Sequence, residues 1–135
     1  MMDGPPASGP AAPLGLSILV IDDEMMTAMY MEDVLTELGC RVSTAARVEK
    51  GLDIIRRQSI EGAFLDVSVF GAPIAPVVKE LRERGIPFAF VTGYDAEHLP
   101  ADYQAHPILS KPLAEGKLAQ VLAGFATLRP ALPVV

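Results

Sequence analysis

Short strand-like runs recur along the chain, and most of them are followed directly by polar residues. The first run, residues 17–21, reads SILVI and is continuously apolar from Ile18 onward. Runs of this length that are apolar on both faces are typical of strands buried in a parallel sheet. The pattern predicts five strands, at residues 17–21, 41–44, 63–65, 87–91 and 107–109.

Helical patterns separate the strands. Apolar residues spaced three and four positions apart predict one buried stripe per helix. Four stripes are found: Met31, Val34, Leu35 and Leu38; Val48, Leu52 and Ile55; Val77, Val78 and Leu81; and Leu118, Val121, Leu122 and Phe125. Residues 95–103 contain Leu99 and Pro100 and show little periodicity, so we expect a short or irregular fourth helix there.

This alternation predicts an α/β fold with a doubly wound, five-stranded parallel sheet and right-handed crossovers. Periodicity alone does not select a strand order; among the doubly wound orders we expect 2-1-3-4-5. The folded domain should span residues 16–128. Residues 1–15 are rich in Pro, Gly and Ala and predict a flexible tail, and residues 129–135 predict a C-terminal tail.

Composition narrows the functional classes. The chain has 135 residues, half of them hydrophobic, which suits one domain with a real core. A net charge of −6 argues against a nucleic-acid surface and gives no reason to expect a membrane partner. The single cysteine, Cys40, is expected to be a small core residue. With no signal-peptide pattern and no apolar run long enough to cross a bilayer, the expected location is the cytoplasm.

Polar residues of types that bind metals or take part in reactions follow four of the predicted strands. Asp22 and Asp23 follow the first strand, Asp66 the third, Thr92 the fourth and Lys111 the fifth. Taken singly, each has an ordinary interpretation as a helix cap, a turn residue or a solvated lysine. Together they would meet at one edge of a parallel sheet, at the switch point. Three carboxylates there repel one another and require a cation such as Mg²⁺. With a lysine and a hydroxyl close by, the same edge suits a phosphoryl group.

The motifs "ILVIDDE", "AFLDVS", "FVTG" and "ILSKP" resemble those of response-regulator receiver domains. The resemblance implies the flavodoxin-like receiver fold and a phosphoryl group accepted on Asp66 from a sensor histidine kinase or histidine phosphotransfer protein. It also implies a set of supporting roles. Asp22, Asp23, Asp66 and the backbone carbonyl of Ser68 would hold Mg²⁺, Asp22 through water; Lys111 would pair with the phosphoryl oxygens, and Thr92 would donate its hydroxyl to them.

One position departs from that family pattern. Ile108 stands where receivers usually carry an aromatic switch residue, three positions before the lysine. The run "RGIPFAFVTGYDAEHLP" instead resembles the FATGUY-type receiver subgroup, whose members typically lack that aromatic residue. Here Val91 replaces the Ala of that signature, and Tyr94 follows Gly93 directly. We therefore expect a switch and gating set of Thr92, Gly93, Tyr94 and Ile108.

The leading hypothesis is a stand-alone receiver of a two-component or phosphorelay system that switches a downstream partner or relays phosphate. It would phosphorylate and dephosphorylate itself with Mg²⁺ without being a turnover enzyme. One alternative is a binding module that needs no phosphate. Another is an aspartyl-phosphate hydrolase, although Ser68 stands where such enzymes carry a second Asp. Exposed Met25, Met26 or Tyr30 could dock the kinase; the kinase itself, the output, the phosphate lifetime and homodimer formation stay open.

Overall fold

The computed structural model describes residues 15–69, 72–93 and 99–128, with the backbone alone at positions 68, 69, 72 and 128. The predicted tails at residues 1–14 and 129–135 lie outside this part, so they stay predictions. The strands are β1 (Ser17–Ile21), β2 (Arg41–Ala45), β3 (Gly62–Asp66), β4 (Ser68–Val69), β5 (Ala72–Pro73), β6 (Phe88–Thr92) and β7 (Ile108–Ser110). The α-helices are α1 (Met25–Glu37), α2 (Val48–Arg57), α3 (Ala75–Glu83) and α4 (Glu115–Leu128).

The main sheet has five parallel strands in the order β2-β1-β3-β6-β7. Counted along these five strands, the order is 2-1-3-4-5, so the predicted fold class is confirmed. A five-residue 3₁₀ helix, Ala101–Ala105, overlaps the end of the irregular segment predicted at residues 95–103, of which residues 95–98 lie outside the described part. Its buried Tyr103 stacks on Phe90 with ring centroids 4.3 Å apart, which attaches this short element to the sheet.

The sheet is covered on both faces, as its apolar strands require. Alternate strand residues such as Leu19 and Leu65 face a core layer shared with α2, α3 and the 3₁₀ helix. Their neighbours, such as Val20 and Phe64, face the layer shared with α1 and α4. Cys40 is buried in that second layer, as expected, and burial raises the pKa of its thiol to about 11.

Two features of the chain path lie between the strands of the main sheet and the helices. Gly39 follows α1 with φ +95°, a left-handed conformation that glycine adopts freely and that ends the helix before β2. After Asp66 the chain forms a small antiparallel ladder, in which Ser68 pairs with Pro73 and Val69 with Ala72. The sequence did not indicate this hairpin, because two-residue strands leave no hydrophobic period to detect.

Candidate functional site

Asp22 and Asp66 lie side by side because β1 and β3 are neighbouring parallel strands, with Ile21 paired to Leu65. Asp22 directly follows β1, and Asp66 is the last residue of β3. Both aspartates are buried, with 2% and 7% of their surface exposed. The strand order reverses at β1, and open α/β sheets bind ligands at the carboxyl ends of strands at such a point.

A third carboxylate completes an acidic cluster. One carboxylate oxygen from each of Asp22, Asp23 and Asp66 lies within 4.8 Å of the other two. Asp22 uses Oδ1 to accept the backbone N–H of Glu24 at 2.8 Å. Its Oδ2 is buried and accepts no hydrogen bond within the part of the chain that the structure describes. A cluster of hard oxygen donors with an unused buried lone pair fits a divalent cation such as Mg²⁺.

Lys111 supplies a positive charge to this cluster from the end of β7. Its Nζ lies 3.3 Å from Asp22 Oδ2 and 3.5 Å from Asp66 Oδ2. The Asp22 contact is an ion pair without hydrogen-bond geometry, which is consistent with the unused lone pair. Desolvation opposes the charged amine, but the attraction of Asp22 and Asp66 outweighs it, so the pKa of Lys111 is above its ordinary value.

Thr92 is placed next to the acceptor candidate by the neighbouring strand. It ends β6, is buried with 1% exposure, and pairs with Ser110 across the sheet. Its carbonyl accepts the backbone N–H of Lys111 at 2.9 Å, so the ends of β6 and β7 are tied together. Asp66 pairs with Val91, one residue earlier on β6. The structure thus brings Thr92 to the same sheet edge as the aspartates and Lys111.

The other predicted gating residues have mixed outcomes. Gly93 is exposed, and a side chain built there would meet nothing within 4 Å. Ile108 is partly buried and packs against the core layer that contains Phe90 and Tyr103. Tyr94 lies outside the described residues. Ser68 begins β4 two residues beyond Asp66, and its role as a carbonyl ligand stays a prediction.

Glu24 belongs to the motif "ILVIDDE", yet the sequence alone gave it no role. Its Oε1 accepts a hydrogen bond from Lys111 Nζ at 3.2 Å, across 87 positions of sequence. The hydroxyl of Thr27 donates to the same oxygen at 2.5 Å. The Thr27 hydrogen bond, followed by the Lys111 hydrogen bond and charge, holds the pKa of Glu24 below its ordinary value. The only sequence signal was its place directly after the aspartate pair.

The family model of the response regulator receiver domain matches residues 18–123, nearly the whole described chain. The chain belongs to the response regulator receiver domain family. Within this receiver domain, the matched segment includes every residue of the carboxyl-edge site described above. Membership is consistent with two-component signalling.

Solved structures agree with this assignment. The solution structure of SdrG from Sphingomonas melonis Fr1 has a TM-score of 0.75 and 32% identity, covering 83% of this chain and 97% of that chain. The BeF3-activated conformation of SdrG from Pseudomonas melonis Fr1 has a TM-score of 0.71 and 33% identity, covering 83% of this chain and 95% of that chain. The fold is shared by a two-component response regulator from Clostridium difficile, which has 17% identity and a TM-score of 0.76. That match covers 83% of this chain and 96% of the other chain.

No curated protein matched the receiver domain significantly. The FATGUY-type assignment is carried by the sequence motif and is not tested by the family or structure matches. Among the described residues, no helix is both long enough and apolar enough to span a bilayer.

An exposed apolar patch adjoins the site on the α1 side of the receiver domain. Met25, Met26, Met29 and Tyr30 are 72%, 76%, 52% and 39% exposed. Met26 and Tyr30 line a groove of about 490 Å³ whose opposite wall includes Lys111 and Leu113. Contiguous exposed apolar side chains beside a functional site are typical of a protein-binding surface. Met25, Met26 and Tyr30 thus have the exposure that docking of a kinase requires, and the docking itself stays a prediction.

His106 packs against the sheet. Its ring stacks on Phe88 with centroids 4.2 Å apart, and its Nε2 lies 3.3 Å from an Arg82 guanidinium nitrogen. It precedes β7 at the amino edge of the sheet, opposite the acidic cluster. The sequence missed this packing because Phe88 and His106 meet only through strand pairing.

Proposed function

We propose that this receiver domain accepts a phosphoryl group on Asp66 from a sensor histidine kinase or a histidine phosphotransfer protein. One observation carries the proposal: the carboxylates of Asp22, Asp23 and Asp66 converge within 4.8 Å, with the Lys111 amine against two of them. Phosphoryl transfer relies on positioning and charge neutralisation, and this arrangement offers both.

The transfer step follows from the placement of Asp66. One Asp66 carboxylate oxygen attacks the phosphorus of the phosphohistidine, forming an O–P bond while the N–P bond breaks. The electron pair of the broken bond stays on the leaving imidazole nitrogen of the donor. Lys111, held 3.5 Å from Asp66 Oδ2, is placed to neutralise the charge on the phosphoryl oxygens.

Asp22, Asp23 and Asp66 are the side chains that would hold Mg²⁺, with the Ser68 carbonyl as a further expected ligand. When bound, Mg²⁺ supplies positive charge against the acidic cluster and the incoming phosphoryl oxygens. The single Lys111 amine, 3.3 Å from Asp22 Oδ2, balances only part of the charge of three carboxylates within 4.8 Å of one another, which supports a further cation there. Mg²⁺ should therefore be required for the transfer.

Thr92 is the proposed switch residue. A hydroxyl on this buried residue can donate to a phosphoryl oxygen, and the chain beyond it, from Gly93, would follow. Ile108 offers no hydroxyl or ring to move with Thr92, so the change should be transmitted by the segment after β6. Tyr94 in that segment stays the candidate aromatic partner. The bound phosphoryl group would thereby alter partner binding, or would pass onward in a relay.

We expect one phosphoryl transfer rather than turnover of phosphoesters. A hydrolase of the aspartyl-phosphate class needs a second acid or base, and the hydroxyl of Ser68, two residues beyond Asp66, is a poor one. Slow self-dephosphorylation of Asp66 is compatible with the residues of the site. Cytoplasmic action, where sensor kinases present their phosphohistidine, is part of the same proposal.

The exposed α1 patch supports docking of the phosphodonor. A partner with an apolar helical surface that covers Met26 and Tyr30 would lie directly over the groove leading to Lys111. Methionine side chains adapt to varied partner surfaces because they are flexible and polarizable.

Beryllium fluoride provides a test that needs no kinase. We expect Mg²⁺ and beryllium fluoride together to shift the amide resonances of Thr92 and Lys111 in NMR spectra of the full chain, beyond the shifts that Mg²⁺ alone produces. The relative SdrG has a BeF3-activated conformation, which supports this expectation. In Asp66→Asn the response should vanish, whereas Asp53→Asn on the exposed face of α2 should respond fully. An Asp66→Asn response equal to that of the natural chain would contradict the proposal.

A further inference from the structure

The Lys111 amine has a third carboxylate neighbour that neither the acceptor nor the metal role uses. Glu24 Oε1 lies 3.2 Å from Nζ, slightly closer than the oxygens of Asp22 and Asp66 at 3.3 and 3.5 Å. The carboxylates of Asp22 and Asp66 are buried, with side chains 0% and 10% exposed, whereas that of Glu24 is 57% exposed. The amine therefore lies between the acidic cluster and the rim of the site.

Glu24 is held in place at this rim. The Thr27 hydroxyl donates to the same Oε1 from one turn along α1, and the Glu24 backbone N–H donates to Asp22 Oδ1. Residue 24 is also the N-terminal flanking residue of α1, in extended conformation. The Thr27 contact thus orients the Glu24 side chain and the Asp22 contact fixes its backbone, so the carboxylate is directed toward Lys111.

A phosphoryl group on Asp66 needs the same amine. It adds negative charge on the buried side of Lys111, and its oxygens must compete with Glu24 for the amine's N–H groups. The Glu24 carboxylate also adds to the negative charge that an anionic donor meets at the entrance of the site. Both effects oppose phosphorylation, and both come from a residue that lies outside the acidic cluster.

We propose that Glu24 is a positioning residue that holds the Lys111 amine toward the rim of the site and thereby slows phosphorylation of Asp66. This inference rests on the proposed function, since it assumes that Asp66 is the acceptor. Thr27 belongs to the same device, because its hydroxyl orients the Glu24 carboxylate. Lys111 completes its contact with the phosphoryl group only after leaving Glu24.

The test is the initial rate of Asp66 phosphorylation by acetyl phosphate at saturating Mg²⁺, followed by intact mass. Glu24→Gln removes the charge with little change in shape and should raise the rate about two- to fivefold, the range expected for an exposed ion pair. Glu37→Gln, an exposed glutamate at the far end of α1, is the matched control and should keep the natural rate. An unchanged or lower rate in Glu24→Gln would overturn the inference.

Glu24→Asp separates positioning from charge. It keeps the negative charge but is too short to reach the amine in the same geometry, so its rate should also rise. A natural rate in Glu24→Asp beside a raised rate in Glu24→Gln would leave only charge repulsion and overturn the positioning role. As a direct readout, the side-chain ¹⁵N and ¹H shifts of Lys111 in metal-free protein should change in Glu24→Gln and not in Glu37→Gln.

The outcomes also separate this inference from the proposed function. No adduct on any of the variants or on the natural chain would overturn both. A normal adduct on the natural chain without acceleration in Glu24→Gln would overturn the positioning role alone. Acceleration in Glu24→Gln with unchanged Lys111 shifts would likewise contradict it, because the lysine would not have moved.

Discussion

At the scale of single residues, His106 shows how one contact sets a pH response. Burial, then the nearby Arg82 charge, lowers the pKa of this imidazole below its ordinary value, while Asp102 opposes the shift. The neutral ring stacks on Phe88 and can accept a hydrogen bond from Arg82. Protonation would place two positive charges together in a partly desolvated position.

The free energy of unfolding should therefore depend on His106 as pH falls from the ordinary imidazole value of 6.5 through the lower value in the folded protein. Because the folded pKa is depressed, this contribution is fully present above the unfolded value and is lost as pH falls through the folded value. Urea unfolding across this range should show stability falling with acid in the natural chain and a shallower fall in His106→Gln. Equal slopes for the two proteins would contradict this assignment.

Glu24 and Glu80 do not confuse that measurement. A hydrogen bond from Thr27 is the largest cause that lowers the pKa of Glu24 below 4.5. A hydrogen bond from Arg84 is the largest cause that lowers the pKa of Glu80 below the same value. Their contributions are present above that value and are lost as pH falls below it. Because the natural chain and His106→Gln both contain these carboxyls, the difference between the two proteins isolates the imidazole.

At the scale of elements, the fit of α4 against the sheet depends on a glycine. A Cβ on Gly62, the first residue of β3, would lie 2.6 Å from Phe125 Cδ2 and 3.0 Å from Ile18 Cδ1. Phe125 is buried and its ring packs on Phe64 with centroids 5.3 Å apart, so it has little room to shift. Gly124, in α4 itself, is exposed, and a Cβ there would meet nothing within 4 Å.

These two glycines form a matched pair for mutation. Gly62→Ala should destabilise the domain by about 1–3 kcal/mol through overpacking. Gly124→Ala should stabilise it by about 0.5–1 kcal/mol, because alanine is the better helix former at an exposed helical position. Urea unfolding measures both changes. A neutral Gly62→Ala would show that α4 can move away from β3 without cost and would contradict the packing described here.

The elements also show where sequence patterns lose their power. Long apolar runs such as β1 and β6 predicted their own strands, because burial on both faces leaves a continuous signal. The ladder of β4 and β5 was missed, since two residues per strand carry no period. The 3₁₀ helix could be predicted only as an irregular segment, and its attachment through Tyr103 and Phe90 depends on tertiary stacking.

At the scale of the whole molecule, sheet topology makes the site. Asp22, Asp66 and Lys111 are far apart in sequence but end three strands of one sheet, with Lys111 close enough to contact both aspartates. Their convergence was predictable from strand order because parallel strands end at one edge. Glu24 was not predictable in this way, because its role depends on where one flexible side chain points. The same holds for the stacking of His106.

The most direct test of phosphorylation on Asp66 is the mass of the intact full chain after incubation with acetyl phosphate and Mg²⁺. We expect a single phosphoryl adduct that is stable to acid and labile to base, present in Asp53→Asn and absent in Asp66→Asn. An unmodified natural chain would favour a binding module that needs no phosphate. An adduct that persists in Asp66→Asn would contradict Asp66 as the acceptor, and sustained hydrolysis of varied phosphoesters would contradict a single phosphoryl transfer.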